Sequence, residues 1–312
     1  MVVEIPEQNF VKKDKSNVFL SKRIESEGNN YVIKSAEGNI IYPCEEDKLP
    51  LSLFKFIRHE HSKLSLFNKQ YLTFVSPECW EDPFEYASFD EYNLDEGDRL
   101  FCFCTTVSRS NCEESFWRRY DPTCEGNYVM WSLDFAKLID ALSNVSKNKK
   151  VKFYIAPIDY RLDRKTITHI LNTTPTTTIQ QIEQLCIKRK AFAHENEVRI
   201  FAVINKNSKI KNDGYFLRVP LTLAKPINNG KKINKKDLGK NSILQKIVLP
   251  PYKPGHKGQY AKNEYAVLQH IFNDNKRKFY EKFDIKIEQC HLYEVNYPDT
   301  STILNKSSKI NI

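Results

Sequence analysis

The segment RLFCFCTT, residues 99–106, restricts the fold most strongly, because its alternating positions are apolar on both faces. A strand that is apolar on both faces is typical of the interior of a sheet. The segments EVRIFAVI, residues 197–204, and VKFYIAPI, residues 151–158, are also predicted to be strands. The chain is therefore expected to build a sheet with at least one buried central strand.

Helical segments occur between the predicted strands without strict alternation. LDFAKLIDALSNV has the period of an amphipathic helix, and TIQQIEQLCIKRKAF, residues 178–192, is predicted to be another helix. This mixture predicts an α+β fold with a mixed, largely antiparallel sheet and flanking helices. Residues 1–50 are expected to form an N-terminal appendage with a hairpin at YVIKSAEGNIIYP, and residues 51–312 a single domain.

The charge of the chain is +9 and is distributed in opposed blocks. Residues 78–98 hold nine acidic residues and no Lys or Arg, whereas Lys206–Lys246 holds eleven basic residues against two Asp. Such blocks are usually solvated surfaces. The functional alternative is that the basic block, predicted to be a loop near residues 206–246, attracts a polyanion such as nucleic acid.

The chain has no apolar stretch near the roughly 20 residues that a membrane helix needs. Its N-terminus lacks the basic and apolar segments of a secretory signal, so we predict a cytoplasmic protein without a membrane partner. The eight cysteines have no paired CxxC spacing, and buried free thiols are favoured over a zinc site that includes Cys102 and Cys104. We predict no metal. The nine glycines form no phosphate loop and argue against Rossmann and P-loop folds.

The segment KAFAHENEVRIF combines two glutamates, a histidine and an arginine at the start of a predicted strand. On a strand, Glu195, Glu197 and Arg199 face one side, and Val198 and Ile200 face a core. The neighbouring guanidinium keeps the carboxylate ionised. Two interpretations are open. The segment is either a solvent-facing strand whose ion pair adds about 0–1 kcal/mol, or a site whose carboxylate takes part in chemistry.

Other polar and aromatic residues have two interpretations as well. EDPFE supplies Asp82 and Glu85 to a site, or forms an Asp-Pro turn. Trp117 and Tyr120 lie one helical turn apart, which suits both core packing and ligand stacking. His194 precedes a strand, where a lone histidine is more often structural than a general base.

Five motifs occur in a fixed order between residues 53 and 203: FKF, LTFVSPECWEDPFE, LFCFCT, FWRRY and KAFAHENEVRIF. In this order the chain resembles an uncharacterised bacterial family of unknown function. Three positions depart from the family pattern. Glu81 stands where Asn is usual, Cys104 where Ser is usual, and Phe192 where Trp is usual.

The layout is also similar to that of the ADP-ribosyltransferase superfamily, which places a polar residue on a first strand and a small hydroxyl residue on a later one. A glutamate on a further strand completes such a site. The resemblance implies Lys55 and Phe56 on the first strand, Ser76 as the hydroxyl residue, and Glu197 or Glu195 as the glutamate.

This resemblance implies that NAD is the substrate. Cleavage of the nicotinamide–ribose bond passes through an oxocarbenium-like sugar, which a carboxylate stabilises more than it stabilises the ground state. The implied catalytic residues are Glu197, Glu195 and Arg199, which orients the glutamate. The implied residues that bind NAD are Lys55, Phe56, Ser76, Asp82, Trp117 and Tyr120.

The leading hypothesis is therefore an ADP-ribosyltransferase-like effector, a toxin or an anti-phage protein, that modifies a nucleic acid or a protein. Its expected partners are nucleic acid, bound through Lys206–Lys246, and a protein acceptor or antitoxin. The alternatives are a nucleic-acid-binding or nuclease-like effector without NAD chemistry, and a sensor that binds a nucleotide without turning it over.

Overall fold

The structure is a computed structural model with an α+β fold, in which a mixed, largely antiparallel sheet is accompanied by helices. It describes residues 24–27, 30–35, 38–42, 52–67, 70–82, 85, 89, 94–95, 97–107, 114–121, 127–149, 151–162, 175, 177–205, 207–210, 212–224, 242–251, 273–283 and 285–290. The predicted fold class is confirmed at this level.

The described strands, in chain order, are β1 (Ile24–Glu27), β2 (Asn30–Ser35), β3 (Gly38–Tyr42), β4 (Ser52–Arg58), β5 (Tyr71–Val75), β6 (Arg99–Thr106), β7 (Tyr128–Asp134), β8 (Val151–Pro157), β9 (Asp159–Leu162), β10 (Ile187–Arg189), β11 (Glu197–Ile204), β12 (Phe216–Pro220), β13 (Leu244–Leu249) and β14 (Lys286–Gln289). The helices are α1 (His59–Leu66), α2 (Glu114–Tyr120), α3 (Phe135–Lys149), α4 (Thr178–Leu185) and α5 (residues 273–280), with 3-10 turns at Pro77–Cys79 and Lys190–Glu195.

Strand β11 lies inside the main sheet, antiparallel to β6 along one edge and to β8 along the other. All eight of its residues are buried. Val198 and Ile200 belong to the main hydrophobic core, and Phe201 belongs to a second cluster on the opposite face. The prediction that Val198 and Ile200 are core residues is confirmed. The interpretation of the segment as a solvent-facing strand is wrong, because both edges of β11 are paired and all eight of its residues are buried.

The main sheet opens at β6, whose second edge is shared by two strands. β4 pairs with β6 at Phe54 and Thr106, and β5 pairs with β6 at Val75 and Cys102. From these bridges β4 continues the sheet through β7, and β5 continues it through β12. Two walls, β4–β7 and β5–β12, therefore rise from one central strand and leave a space between them.

The predicted helix over residues 178–192 is wrong in its second half. α4 begins at the N-cap Thr177, whose hydroxyl accepts a hydrogen bond from the Gln180 amide, and ends at Leu185. The chain then extends into β10, which pairs in parallel with β9, and forms a 3-10 turn. Pairing with β9 overrides the helical propensity of this segment.

At the segment where an N-terminal hairpin was predicted, β2 and β3 pair antiparallel from Tyr31 and Tyr42 to Ser35 and Gly38. Residues 225–241 of the predicted basic loop lie outside the described residues, as do Cys44, Cys112 and Cys124. Among the residues that the structure describes, no helix is long and apolar enough to cross a membrane. The division of the chain at residue 50 stays a prediction.

Candidate active site

The space between the two walls of the sheet is a cavity of about 820 Å³. Its floor includes Phe103, Cys104 and Thr105 of β6, which lie between the two bridges to β4 and β5. The wall residues come from β4, β5, β7 and β12, and α2 closes one side. Cavities that hold small molecules and cofactors have volumes of about 300–1,000 Å³, so this cavity is large enough for a dinucleotide.

Five charged side chains meet at the buried wall of this cavity, each less than one tenth exposed. Lys188 Nζ lies 2.8 Å from Glu195 Oε2 and 3.1 Å from Glu197 Oε2. It also lies 2.9 Å from Glu85 Oε1. Arg199 Nε lies 2.8 Å from Glu197 Oε1, and Arg199 Nη2 lies 2.7 Å from Glu85 Oε2. We call these five residues the charged cluster.

Rigid elements hold the charged cluster in place. The backbone N–H of Glu197 donates to the Tyr160 hydroxyl at 2.8 Å. Arg199 Nη1 donates to the carbonyl of Leu185, the last residue of α4, at 2.5 Å. This bond satisfies a carbonyl group that the helix end leaves without an intrahelical partner. The two cations thus pair with carboxylates that would otherwise be costly to bury, and the tyrosine holds the backbone of Glu197.

Glu195 reaches the charged cluster by a different route from the one expected. It is the last residue of the 3-10 turn rather than part of β11, and Asn196 after it adopts the left-handed conformation with φ of 41°. Asparagine tolerates this conformation better than most residues. Thr106 Oγ1 donates to the Glu195 carbonyl at 2.5 Å. The reversal at Asn196 lets two nearby glutamates contact the same lysine.

The electrostatics of Glu197 favour its ionised form. Burial alone would raise the pKa of its carboxyl group, but the charges and hydrogen bonds of Arg199 and Lys188 outweigh burial and hold the pKa at about 2. Burial alone would lower the pKa of Arg199, yet Glu197 and Glu85 keep that pKa well above its usual range. The pair therefore stays charged at neutral pH.

Aromatic rings cover the cations of the charged cluster. The Arg199 guanidinium lies 4.3 Å from the centre of the Trp80 ring, and Lys188 Nζ lies 5.0 Å from the centre of the Phe192 ring. Arg119 and Arg189 also lie over Phe192, at 5.0 and 4.9 Å. Cation–π contacts of this kind are strongest where water is excluded. The rings thus shield the cations and strengthen their attraction to the carboxylates.

Arg119 of α2 adds a third cation at the cavity side. Its guanidinium contacts Glu195 Oε1, and its side chain is 41% exposed whereas that of Glu195 is 7% exposed. With Arg119 included, three carboxylates face three cations. Since Arg119 is the most exposed of the six, it is the partner that a ligand can displace at the lowest cost.

The residues predicted to bind NAD separate into two groups. Lys55, Phe56, Asp82 and Tyr120 line the cavity together with Glu195 and Glu197. Phe56 stacks on Tyr120 with ring centres 5.0 Å apart. Tyr120 is 36% exposed and Phe56 is 6% exposed, so Tyr120 is the more accessible of the two. Asp82 accepts a hydrogen bond from Arg189 Nη2 at 2.8 Å.

Ser76 and Trp117 lie elsewhere. Ser76 caps the 3-10 turn at Pro77–Cys79 and lines a smaller cavity of about 240 Å³ with Arg99 and Tyr215. Trp117 is 1% exposed and packs edge-on against Phe56 at 4.9 Å between ring centres. Both positions suit structural roles, Ser76 as a cap and Trp117 as support for the Phe56 ring.

Sequence reasoning missed Lys188 and Arg119. Lys188 lies within IKRK, where a run of basic residues is typical of an exposed helix end, yet it is 6% exposed. Arg119 was part of the FWRRY motif, but its neighbour Arg118 carries the same side chain. The alternation of β10, in which only Lys188 is fully buried, becomes visible only once the segment is known to be a strand.

The histidines and cysteines near the cavity take secondary positions. His194 is exposed, and its Nδ1 lies 3.2 Å from the Ala191 carbonyl. Cys104 lines the cavity, and its sulfur lies 3.8 Å from that of buried Cys102. In the part of the chain that the structure describes, no three His, Cys, Asp or Glu residues are grouped as metal ligands.

No protein-family model matches the chain, and neither a curated protein nor a solved structure matches it significantly. The resemblances to the bacterial family and to the ADP-ribosyltransferase superfamily therefore stay predictions.

Proposed function

We propose that the chain is an ADP-ribosyltransferase-like enzyme that uses NAD as its substrate and modifies a nucleic acid or a protein, as a toxin or an anti-phage effector. One observation carries the proposal. An ionised glutamate, Glu197, is held rigidly at the wall of a cavity of about 820 Å³ that opens between two halves of a sheet. The same cavity contains an accessible aromatic ring, Tyr120, and a cationic group, Lys55.

These groups match the parts of NAD. A flat base or nicotinamide ring stacks on an aromatic side chain such as Tyr120. The diphosphate attracts a cation such as Lys55, whose Nζ lies 5.1 Å from the centre of the Phe103 ring on the cavity floor. The hydroxyl groups of a ribose donate hydrogen bonds to a carboxylate, which Glu197 or Glu195 supplies.

The proposed reaction needs a fixed negative charge more than a base. The bond between C1′ of the ribose and the nicotinamide nitrogen breaks, and its electron pair neutralises the positive charge of the nicotinamide ring. A hydroxyl or amine of the acceptor forms a new bond to C1′ and loses one proton. Positive charge on the sugar peaks between these events, and an ionised carboxylate stabilises that charge without having to reorganise.

Glu197 is the first choice for this role, and Glu195 is the alternative. Glu197 has the more rigid position, since its carboxylate contacts Arg199 and Lys188 and its backbone N–H is bonded to Tyr160. Glu195 has the more exchangeable partner in Arg119. In either arrangement Lys188 acts as a positioning residue, because it contacts both carboxylates.

The decisive experiment incubates the chain with labelled NAD and cell lysate and measures free nicotinamide and label in the protein and nucleic-acid fractions. Glu197→Gln is expected to lower nicotinamide release by about 10²-fold or more, as the loss of a transition-state contact does. Glu288→Gln is the matched control, because Glu288 also forms ion pairs within the sheet but lies on β14. Folding of each variant is checked by circular dichroism.

Two results would contradict the proposal. Wild-type chain that releases no nicotinamide and labels neither fraction is not an NAD-consuming enzyme, and binding of NAD without turnover would instead favour the sensor. If Glu197→Gln and Glu195→Gln both keep full activity, the charged cluster is structural and the site lies elsewhere.

The nuclease-like alternative has one feature in its favour, the convergence of three carboxylates. Their meeting point is filled by the Lys188 ammonium group, at 2.8–3.1 Å from one oxygen of each. A divalent cation would have to displace this group. Cleavage of labelled nucleic acid with Mg²⁺ or Mn²⁺ in the absence of NAD would favour this alternative.

A further inference from the structure

The mouth of the cavity carries the same pair of side chains on each wall. On the β4–β7 wall, Arg58 and Tyr128 are cross-strand partners. On the β5–β12 wall, Arg218 and Tyr71 lie on one face of two paired strands. In both pairs the guanidinium carbon lies 5.9 Å from the centre of the tyrosine ring. We call these four residues the arginine–tyrosine rim.

Both arginines of the rim are directed to solvent. Arg58 is exposed and its Nε donates to the Tyr128 hydroxyl at 3.1 Å. The side chain of Arg218 is 54% exposed, and its Nη1 lies 3.5 Å from a carboxylate oxygen of the exposed residue Asp213. An exposed pair at this distance is weak and is screened by salt. The contrast with the buried charged cluster is clear, since the rim cations remain available to a ligand.

We propose that the arginine–tyrosine rim binds single-stranded nucleic acid and presents it to the cavity as the acceptor. This inference rests on the proposed function, because it assigns the acceptor of the same site. Arginines on two facing walls attract the phosphates of one strand, and tyrosine rings beside them offer surfaces on which unpaired bases stack.

The rim chemistry favours single strands over duplexes and proteins. A duplex hides the faces of its bases, so it uses the arginines but not the tyrosines. An acidic peptide likewise satisfies the arginines without needing two aromatic rings. Phe216, 39% exposed on β12 beside Arg218, and Tyr120 at the cavity side add two further accessible rings. Alternating cations and rings are typical of surfaces that bind single strands without sequence preference.

The rim takes one of its two arginines from the predicted basic block and the other from β4. Arg218 belongs to the Lys206–Lys246 block and lines the cavity, whereas Arg58 belongs to β4, far from that block in sequence. Both arginines face the same cavity because the sheet divides into two walls at β6. Nucleic-acid binding is therefore expected to depend on Arg58, which the charge pattern of the sequence does not single out.

The test measures binding by fluorescence anisotropy in the absence of NAD. The probes are labelled single strands of DNA and of RNA, each about 12 nucleotides long, and a duplex of the same sequence. Wild-type chain is expected to bind the single strands about tenfold more tightly than the duplex at about 50 mM salt. Comparison of the DNA and RNA arms shows which sugar is preferred.

Variants separate the two contributions of the rim. Arg58→Gln with Arg218→Gln is expected to weaken binding at least about tenfold and to reduce the slope of log affinity against log salt by about 1.4, or about 0.7 for each lost phosphate contact. Tyr71→Leu is expected to weaken binding and leave the salt slope unchanged, because stacking releases no counterions. Lys286→Gln, which removes a charge from the 71% exposed Lys286 on β14, is the control and should bind as the wild type does.

Three outcomes overturn this inference: no binding of single strands at about 50 mM salt, equal binding of the duplex, or unchanged affinity of the double arginine variant. Label that enters the protein fraction but not the nucleic-acid fraction of a lysate not treated with nuclease is a fourth such outcome, and it assigns a protein acceptor. Because binding is measured without NAD, its failure leaves the proposed NAD chemistry standing. Failure of nicotinamide release likewise leaves this binding result standing.

Discussion

Strands β11 and β14 carry the same local pattern, two opposite charges separated by one apolar residue. In β11 the residues are Glu197 and Arg199, and in β14 they are Lys286 and Glu288. Both pairs form salt bridges. Their surroundings differ greatly, since the side chains are 9% and 1% exposed in β11 but 71% and 27% exposed in β14. The same sequence pattern thus produces a buried site in one strand and a solvated ion pair in the other.

The difference arises from position in the sheet. β11 lies between β6 and β8, whereas β14 is the last strand beside β13 in the part of the sheet that the structure describes. A charge in an interior strand must be paired to be tolerated, and each additional partner makes the next charge cheaper to bury. That requirement explains why Lys188, Glu85 and Glu195 converge on the β11 pair. A charge on an edge strand faces water and needs no additional buried partners.

Removal of Arg199 is expected to produce the largest effect. Arg199→Met keeps much of the side-chain volume but leaves Glu85 and Glu197 with Lys188 as their remaining cation in the charged cluster. Breaking a buried pair in this way typically costs about 3–5 kcal/mol. The free energy of unfolding, measured by urea titration, should fall by that amount.

Lys286→Met on β14 is the matched control and should cost at most about 1 kcal/mol, because exposed pairs contribute little. Similar losses in the two variants would show that burial does not distinguish the two patterns. The comparison between β11 and β14 would then fail.

The sequence predicts the fold better than it predicts the site. β6 and β11 are recognisable because their apolar residues occupy both faces or one continuous stripe, and strand burial follows from that pattern. Lys188 is not recognisable, because its burial depends on pairing between β10 and β9, which no local pattern encodes. Glu195 was expected on the strand and instead lies in a 3-10 turn, since the reversal at Asn196 is a single-residue event.

The same limit applies to the cavity. Lys55, Phe56, Asp82 and Tyr120 line the cavity together with the two glutamates, whereas Ser76 and Trp117 lie in other surroundings. That any of these residues binds NAD stays a prediction. The split of the sheet decides which residues meet. The split depends on two single bridges to β6, one from Phe54 of β4 and one from Val75 of β5. Periodicity within one strand or helix carries no information about such bridges between strands.

The pH dependence of stability gives the second prediction. The pKa of Glu197 is about 2 in the fold and about 4.5 in the unfolded chain, because Arg199 and Lys188 outweigh the effect of burial. Its ionised form therefore contributes about 3 kcal/mol that is present above about pH 5 and is lost as the pH falls towards 2. Glu197→Gln should be less stable than wild type at pH 7, and the difference should shrink towards pH 2.

Urea titrations of both proteins at several pH values measure this difference. Subtraction of the variant from the wild type removes the titration of the other carboxylates. A difference that stays constant from pH 7 to pH 2 would mean that the charge of Glu197 is not what its partners stabilise. The β11 pair would then be a packing feature rather than an electrostatic one.

The smallest effect is expected at Glu288. Burial alone would raise the pKa of Glu288, but hydrogen bonds from Lys246 and Lys286 lower it. Since all three side chains are partly or largely solvated, Glu288→Gln should cost no more than about 1 kcal/mol at low salt. At about 1 M salt the screening length falls to about 3 Å, so the cost should approach zero.

The cost of Glu197→Gln should persist under the same conditions, because salt ions do not enter the buried charged cluster. Urea titrations of the two variants at low and high salt test this directly: equal salt sensitivity would mean that the charged cluster is open to ions and that its glutamates are screened like those of an edge strand.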